Sequence, residues 1–324
     1  MLASIVIRTY NEEAYLAELL DAIACQADKV VLHEVVIVDS GSTDDTLLIA
    51  ENYGCRVTHI AQEEFTFGRS LNQGCEFADG NILVFISGHC IPVSVDWLDT
   101  LCKPLADGLV SYSYGRQQGR DTTKYSEELL FQKFYPVYSK LPQEGFFCNN
   151  ANAAILSATW AKFRFNEDLT GLEDMHLAKL LVETDHKIGY VADASVWHIH
   201  DESWQRVRIR YEREAYALQH IMPEVHFSLA DFLRYFISGV LADTAVALND
   251  KVLHLKLWEI VLFRFNHYWG TYQGSREMKR LKAERKHNYF YPKDLEKHVY
   301  HGQKDYRVAP HEGAQRTSEG QKLS

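Results

Sequence analysis

Two short runs, Ser4-Ile5-Val6-Ile7 and Glu34-Val35-Val36-Ile37-Val38, flank a stretch whose apolar residues fall at helical spacing: Tyr15, Leu16, Leu19, Leu20 and Ile23. A run that is apolar at successive positions has no solvated face, so it belongs in a strand covered on both sides. Strand, helix and strand in that order call for a parallel pair joined by a right-handed crossover. The pattern continues with a strand predicted at Cys55–Ile60, a helix at Arg69–Ala78 and a strand at Ile82–Ile86, the turn before it marked by Asp79-Gly80. The expected class is α/β, a mixed but mostly parallel sheet flanked by helices.

Beyond Gly88 the spacing loosens. It predicts helices over Val95–Leu105, Lys124–Tyr138 and Leu172–Glu183, strands at Leu109–Tyr114, Ala153–Leu156, Lys187–Val191 and Ser195–His200, and a loop over Leu141–Gly145. After residue 204 come long helical patterns rich in Trp, Tyr, Phe and Leu, then a basic run from Ser275 to Lys286 and a polar tail. A formal charge of −10 argues against a general affinity for nucleic acid. The six cysteines, Cys25, Cys55, Cys75, Cys90, Cys102 and Cys148, include no C-x-x-C pair, so reduced thiols in a cytoplasmic protein are expected. The opening MLASIVIRTYNEE has no basic stretch before its apolar residues, so no secretory leader is expected there. The most apolar helical stretches carry charges such as Asp231, Arg234, Lys256 and Arg264, which argues against a membrane span.

Open α/β sheets bind ligands beyond the carboxyl ends of their strands. Three ends carry chemistry: Arg8-Thr9-Tyr10-Asn11-Glu12, Asp39-Ser40-Gly41-Ser42-Thr43-Asp44 and Ser87-Gly88-His89-Cys90. Asp39 ends an apolar strand, so its carboxylate is expected to project into the crevice, where it suits a base N–H or a ribose hydroxyl. Ser42 with Asp45, and Thr170 with Glu173, have the spacing of capping boxes.

The order of Val6-Ile7-Arg8-Thr9-Tyr10-Asn11-Glu12, Val36-Ile37-Val38-Asp39-Ser40-Gly41-Ser42-Thr43-Asp44 and Gly68…Asn72…Gly74…Ala78-Asp79-Gly80 resembles glycosyltransferase family 2, whose fold is the nucleotide-diphospho-sugar transferase fold GT-A. Glu173-Asp174-Met175-His176 and Val196-Trp197-His198 are similar to its later motifs. Trp97-Leu98 and Phe265…Tyr268-Trp269-Gly270 are similar to rhamnosyltransferase-like members that build bacterial surface polysaccharides. With the change of pattern near residue 204 and the polar end of the chain, the expected organisation is a catalytic domain over residues 1–203, a helical extension over 204–300 and a disordered tail over 301–324. The resemblance implies a nucleotide-sugar donor held by Thr9, Asn11, Asp39 and Ser42 or Asp44, a glycan or lipid-linked glycan acceptor, and inverting transfer. One carboxylate then takes the acceptor proton, because an alcohol is a weak nucleophile at neutral pH. Of the pair, Glu173 fits the helix-capping role, which leaves Asp174 as the base; the family pattern also favours the second acid. Asn149, Asn150 and Asn152 are expected near the donor and acceptor sugars.

One departure stands out. Family members carry an Asp-x-Asp triplet that holds Mg²⁺ or Mn²⁺ after the fourth strand. Here the residues are Ser87-Gly88-His89, with no carboxylate. Three readings compete: a histidine-rich metal site of His89, His198 and His200; direct stabilisation of phosphates without metal; and a catalytically inert, sugar-nucleotide-binding subunit of a glycan-assembly complex. A histidine-metal hydrolase is a further reading. The C-terminal aromatic helices and basic run fit either packing and a homodimer interface or attachment at the inner face of a membrane.

Overall fold

The apolar runs pair as the alternation predicts. A computed structural model of the 324-residue chain describes residues 1–27, 32–276 and 283–292. It places β1 (Leu2–Thr9), β2 (Leu32–Asp39), β3 (Arg56–His59), β4 (Ile82–Ser87), β5 (Cys90–Pro92), β6 (Tyr112–Gln118), β7 (Asn152–Leu156) and β8 (Ile188–His198) in one sheet of order β3-β2-β1-β4-β7-β6-β8-β5. The β3-β2-β1-β4 half is parallel throughout. Its register sets Thr9 opposite Asp39 and Arg8 opposite Ser87, so the three chemically loaded strand ends finish level.

The alternation of side chains splits the core into two layers. Ile5, Ile7 and Ile37 pack with Leu16 and Leu19 of α1 (Glu13–Ala24) and with Trp97 and Leu101 of α4 (Trp97–Ala106). Val6, Val36 and Phe85 pack on the other face with Leu71 of α3 (Phe67–Phe77), Trp160 of α6 (Ser157–Phe163) and Leu177 of α7 (Glu173–Glu183).

The second half of the sheet is mixed: β7 is antiparallel to β4 and β6, β8 is parallel to β6, and β5 is antiparallel to β8. The two strands expected over Lys187–His200 are one strand, β8. Its pairing with β6 steps between Gly115↔Val191 and Gln117↔Val196, and Asp193 points to solvent within that irregularity. The strand expected at Leu109–Tyr114 instead runs from Tyr112 to Gln118, because the polar Gln117 is buried and hydrogen-bonded rather than solvated. The helix expected over Lys124–Tyr138 is shorter, α5 (Tyr125–Phe134). The Ser42/Asp45 capping box does not form: α2 (Thr46–Asn52) starts after Asp45, and Ser42 bonds Asp39 instead.

From Trp204 the described chain is helical: α8 (Trp204–Ile221), α9 (Leu229–Asn249), α10 (Leu253–Ser275) and α11 (Ala283–Phe290). Helix α9 starts on a full capping box between Ser228 and Asp231. Asp243 of α9 and Arg264 of α10 form a buried bidentate pair at 2.6 and 2.7 Å. Helix α10 crosses α8 at backbone contact. A Cβ at Gly274 would lie 2.0 Å from the Glu212 carbonyl oxygen, and one at Gly270 would lie 2.4 Å from that of Arg208. Backbone atoms cannot yield as a side chain does. Gly274→Ala is therefore expected to cost about 1–3 kcal/mol, seen as a lower urea midpoint. An unchanged midpoint would mean the helices do not touch this closely.

No helix among the described residues is long and apolar enough to cross a membrane. Leu241, Leu248, Leu255 and Trp258 of α9 and α10 are exposed. Half of the basic run (277–282) and the 301–324 tail lie outside the described residues.

Candidate active site

The acid pair opens α7. Leu172 precedes it in the left-handed region, at φ 57°, with no side-chain cap. The Thr170–Glu173 capping box is not formed: the Thr170 hydroxyl donates to the Arg213 carbonyl at 3.4 Å, and Glu173 turns to Arg8 at 3.4 Å. Arg8 lies in β1 beside Ser87, so this pair ties the start of α7 to the upper rim of the sheet. Asp174 accepts backbone N–H bonds from Asn150 (2.8 Å) and Met175 (2.7 Å) and is only 7% exposed. Burial, and next the adjacent Glu173 charge, push its carboxyl up to about 7 against the pull of those two N–H donors and Arg8. A carboxyl poised there changes protonation state near neutrality, as a general base must. The segment that supplies the Asn150 N–H also accepts from Ser87 N at Ala151 O (3.3 Å), which keeps Asp174 near the end of β4.

At the ends of β1 and β2 the expected nucleotide residues come together but largely satisfy one another. Asp39 is 1% exposed. It accepts from the Thr9 hydroxyl (2.9 Å), the Ser42 hydroxyl (2.5 Å) and the backbone N–H groups of Gly41 and Ser42 (2.9 and 3.0 Å). A carboxylate offers about four acceptor positions, so the expectation of a carboxylate free in the crevice is corrected to one that shapes the loop. Asp44 likewise accepts from Glu13 N and from Thr46 N and Oγ1, serving the starts of α1 and α2. Asn11, at φ 54°, accepts from Thr43 N at 2.8 Å. Tyr291 roofs this end of the crevice. Its ring stands edge-on to Tyr10 at 4.6 Å and lies 5.7 Å from Phe65, while Phe290 of α11 meets Phe65 and Phe67.

The histidines expected as a cluster are one. Pairing of β5 with β8 sets Cys90 opposite His198, and Ile199 N donates to His89 O at 3.1 Å. The rings of His89 and His198 are stacked with centroids 5.2 Å apart, and those of His198 and His200 are 4.0 Å apart. His89 Nδ1 meets Glu12 (3.1 Å), His198 Nδ1 meets Gln117 Oε1 (2.7 Å) and His200 Nδ1 meets Glu127 Oε1 (2.8 Å). Burial drives His198 well below the ordinary histidine value, helped by the neighbouring His200, His89 and Arg210. Burial also pulls on His89, but the Glu12 carboxylate outweighs it and the net shift is upward. Arg210 of α8 holds Glu127 (2.5 Å) and Glu202 (2.7 Å).

The three amides divide. Asn152 is fully buried: Oδ1 accepts from Trp97 Nε1, and Nδ2 donates to the carbonyls of Arg116 and Ala194. It locks strands together, which corrects its expected sugar contact. Asn149 Oδ1 accepts from Gln117 and Ala151 N. Asn150 Oδ1 accepts from Tyr112, while its buried Nδ2 has no partner among the described residues. Sequence reasoning missed Gln117, Glu127 and Arg210. They lie far apart in the chain within ordinary helix or strand patterns, and only the fold brings them to the histidines. Glu12 was visible in its strand-end motif, but its pairing with His89 was not.

The sequence model of glycosyl transferase family 2 matches residues 4–165, half of the chain. The chain belongs to glycosyl transferase family 2. It is therefore a glycosyltransferase. It is similar to O-antigen chain rhamnosyltransferase RfbN of Salmonella typhimurium, 25% identical over 223 residues that span 64% of this chain and 70% of that one. It is also similar to O-antigen chain rhamnosyltransferase WbaN of Salmonella anatum, 27% identical over 189 residues that span 55% and 60%. Among solved structures, the mannosyltransferase PcManGT from Pyrobaculum calidifontis, in complex with GDP-Man and Mn²⁺, superposes with a TM-score of 0.54 at 19% identity, covering 87% of this chain and 77% of that one. The fold of this family member is thus GT-A, with a helical C-terminal region.

Proposed function

We propose that this family 2 transferase moves one sugar, with inversion, from a nucleotide-diphosphate donor to a hydroxyl of a growing bacterial surface glycan. The observation that carries the proposal is Asp174, a buried carboxyl at the rim of the sheet that is pushed up to about 7. Asp174 takes the acceptor proton as the hydroxyl oxygen attacks the anomeric carbon. The bond from that carbon to the diphosphate breaks, and its electron pair leaves with the phosphate oxygen. Asn150 N–H and Met175 N–H fix the carboxylate, and Glu173, paired with Arg8, keeps its charge close. The likeness to O-antigen rhamnosyltransferases supports the surface-glycan acceptor. The division into residues 1–203 for chemistry and 204–300 for packing belongs to the same proposal.

The test is to incubate the protein with nucleotide sugars and a glycan acceptor and to assign the anomeric configuration of the product by NMR. A product with the donor's configuration would exclude inversion and the base role together.

The proposal places the nucleotide over the ends of β1 and β2, beneath Tyr291. That ring is 9% exposed, and on this proposal a base must displace it to bind there. Tyr291→Ala is expected to tighten nucleoside-diphosphate binding by about tenfold, equivalent to about 1.4 kcal/mol. Calorimetry checks this. Weaker binding in the variant would mean the base stacks on Tyr291 rather than displacing it.

A further inference from the structure

The hydrogen bonds around the histidine cluster assign its tautomers. Ala151 N–H donates to Asn149 Oδ1, so that atom is an acceptor. Gln117 must then present its NH₂ to Asn149, which turns its Oε1 toward His198. An acceptor facing His198 Nδ1 requires a proton on Nδ1, which leaves a lone pair on Nε2 of the neutral ring. Glu127 imposes the same tautomer on His200 and Glu12 imposes it on His89. The consequence is a conflict. Nε2 of His198 and Nε2 of His200 lie 2.9 Å apart, and in neutral rings both carry lone pairs. Something positive must sit between or in front of them.

We propose that His89, His198 and His200 form a three-imidazole site for a borderline transition-metal cation such as Zn²⁺, Co²⁺ or Mn²⁺, selected against Mg²⁺. Ring nitrogens of all three residues lie within 4.8 Å of one another. Nitrogens bound at about 2.0–2.1 Å in tetrahedral geometry stand roughly 3.4 Å apart, so the His198–His200 pair needs to open by only a few tenths of an ångström. Each ring already has what metal-bound histidines need on the opposite nitrogen: a carboxylate or amide that fixes its tautomer and orientation. Phe131 stands 5.8 Å from the His198 and His200 rings and walls the cluster. Imidazole suits these ions, whereas Mg²⁺ demands oxygen ligands. Three neutral ligands also leave both positive charges of the ion uncancelled, where two aspartates would remove them. When bound, the ion would supply positive charge to the departing diphosphate. That use rests on the transfer reading above; the site itself stands on the geometry.

Co²⁺ is the probe. The metal-stripped full chain is expected to bind one Co²⁺ with the visible d–d bands of a tetrahedral nitrogen site, and Zn²⁺ should bleach them. Zn²⁺ and Co²⁺ should raise the melting temperature, while Mg²⁺ at the same excess should not. His89→Ala and His200→Ala should each abolish the bands. Gln117→Leu, which leaves all three imidazoles in place but removes the acceptor that positions His198 along with the bond to Asn149, should raise the Co²⁺ Kd about 10–100-fold. Circular dichroism without metal verifies that each variant is folded. No Co²⁺ bands and no melting shift with any of these metals would overturn the site and leave a shared proton as the answer to the conflict. Bands unchanged in both alanine variants would overturn it too. Asp174→Asn should bind Co²⁺ like the wild type, so failure of the metal site and failure of the transfer reading give different results.

Discussion

Asp174→Asn is expected to fold, keep the nucleotide and lose turnover by about 10²–10⁴-fold, the usual contribution of a positioned general base. Its amide oxygen can still accept one of the two N–H bonds now made by the carboxylate, but it cannot take a proton. In the wild type the rate should climb as pH rises through about 7 and level off above it, because only the ionised carboxylate is a base. Near-wild-type turnover in the variant would remove Asp174 from the reaction. The same shift carries a stability signature. Between the ordinary aspartate value near 4 and the folded value near 7, the native chain holds a proton that the unfolded chain has released. Native stability therefore falls as pH rises across that window, by a few kcal/mol at most in order of magnitude. The asparagine variant has no such slope. The melting temperature of the variant minus that of the wild type should increase from pH 4 to pH 7 and then stay level. A difference that does not change with pH would mean Asp174 is ionised throughout.

The first half of the sheet was legible because its strands advertise themselves. Ile5, Val6 and Ile7, like Val36, Ile37 and Val38, are buried on both faces, and only a covered strand tolerates that. The second half was harder because its strands carry polar residues whose partners are remote. Gln117 looks like a solvated edge and is a buried link between His198 and Asn149. The acid pair could be found, but the route to choosing between its members was wrong. Capping depends on backbone angles, and Leu172 adopts a left-handed conformation that no propensity suggests. In the sequence Asp39 and Asp44 read as ligand groups, because a strand-end carboxylate is the same letter whether it meets a ligand or a neighbouring N–H. Three-dimensional structure tells the two apart by counting donors: Asp39 has four. The histidines were legible from His198 and His200 being two apart in an extended chain, which puts them on one face.

Arg210→Met should be the most destabilising single change near the site, costing about 3–5 kcal/mol, because it strips the cation from two carboxylates at once. Glu127 is almost fully buried, and its Oε2 has no partner among the described residues, so it depends on Arg210 and His200 at Oε1. Burial alone would raise Glu127 and Glu202; the Arg210 charge, followed by His200, holds both below the ordinary glutamate range. The sign follows. In the wild type these groups add stability above pH 4–5, and that stability is lost as pH falls toward their folded values. Without Arg210 burial dominates, the carboxyls move up, and the variant is penalised most where they are charged. The melting-temperature gap between wild type and variant should therefore be widest near neutrality and shrink toward pH 4. Glu127→Gln in the Arg210→Met background should recover part of the loss, because a neutral amide needs no cation; in the presence of Arg210 the same substitution should only destabilise. A gap of less than about 1 kcal/mol, or one that is constant with pH, would mean that water screens the cluster as it does a surface pair. Glu127 would then be too loosely held to orient His200.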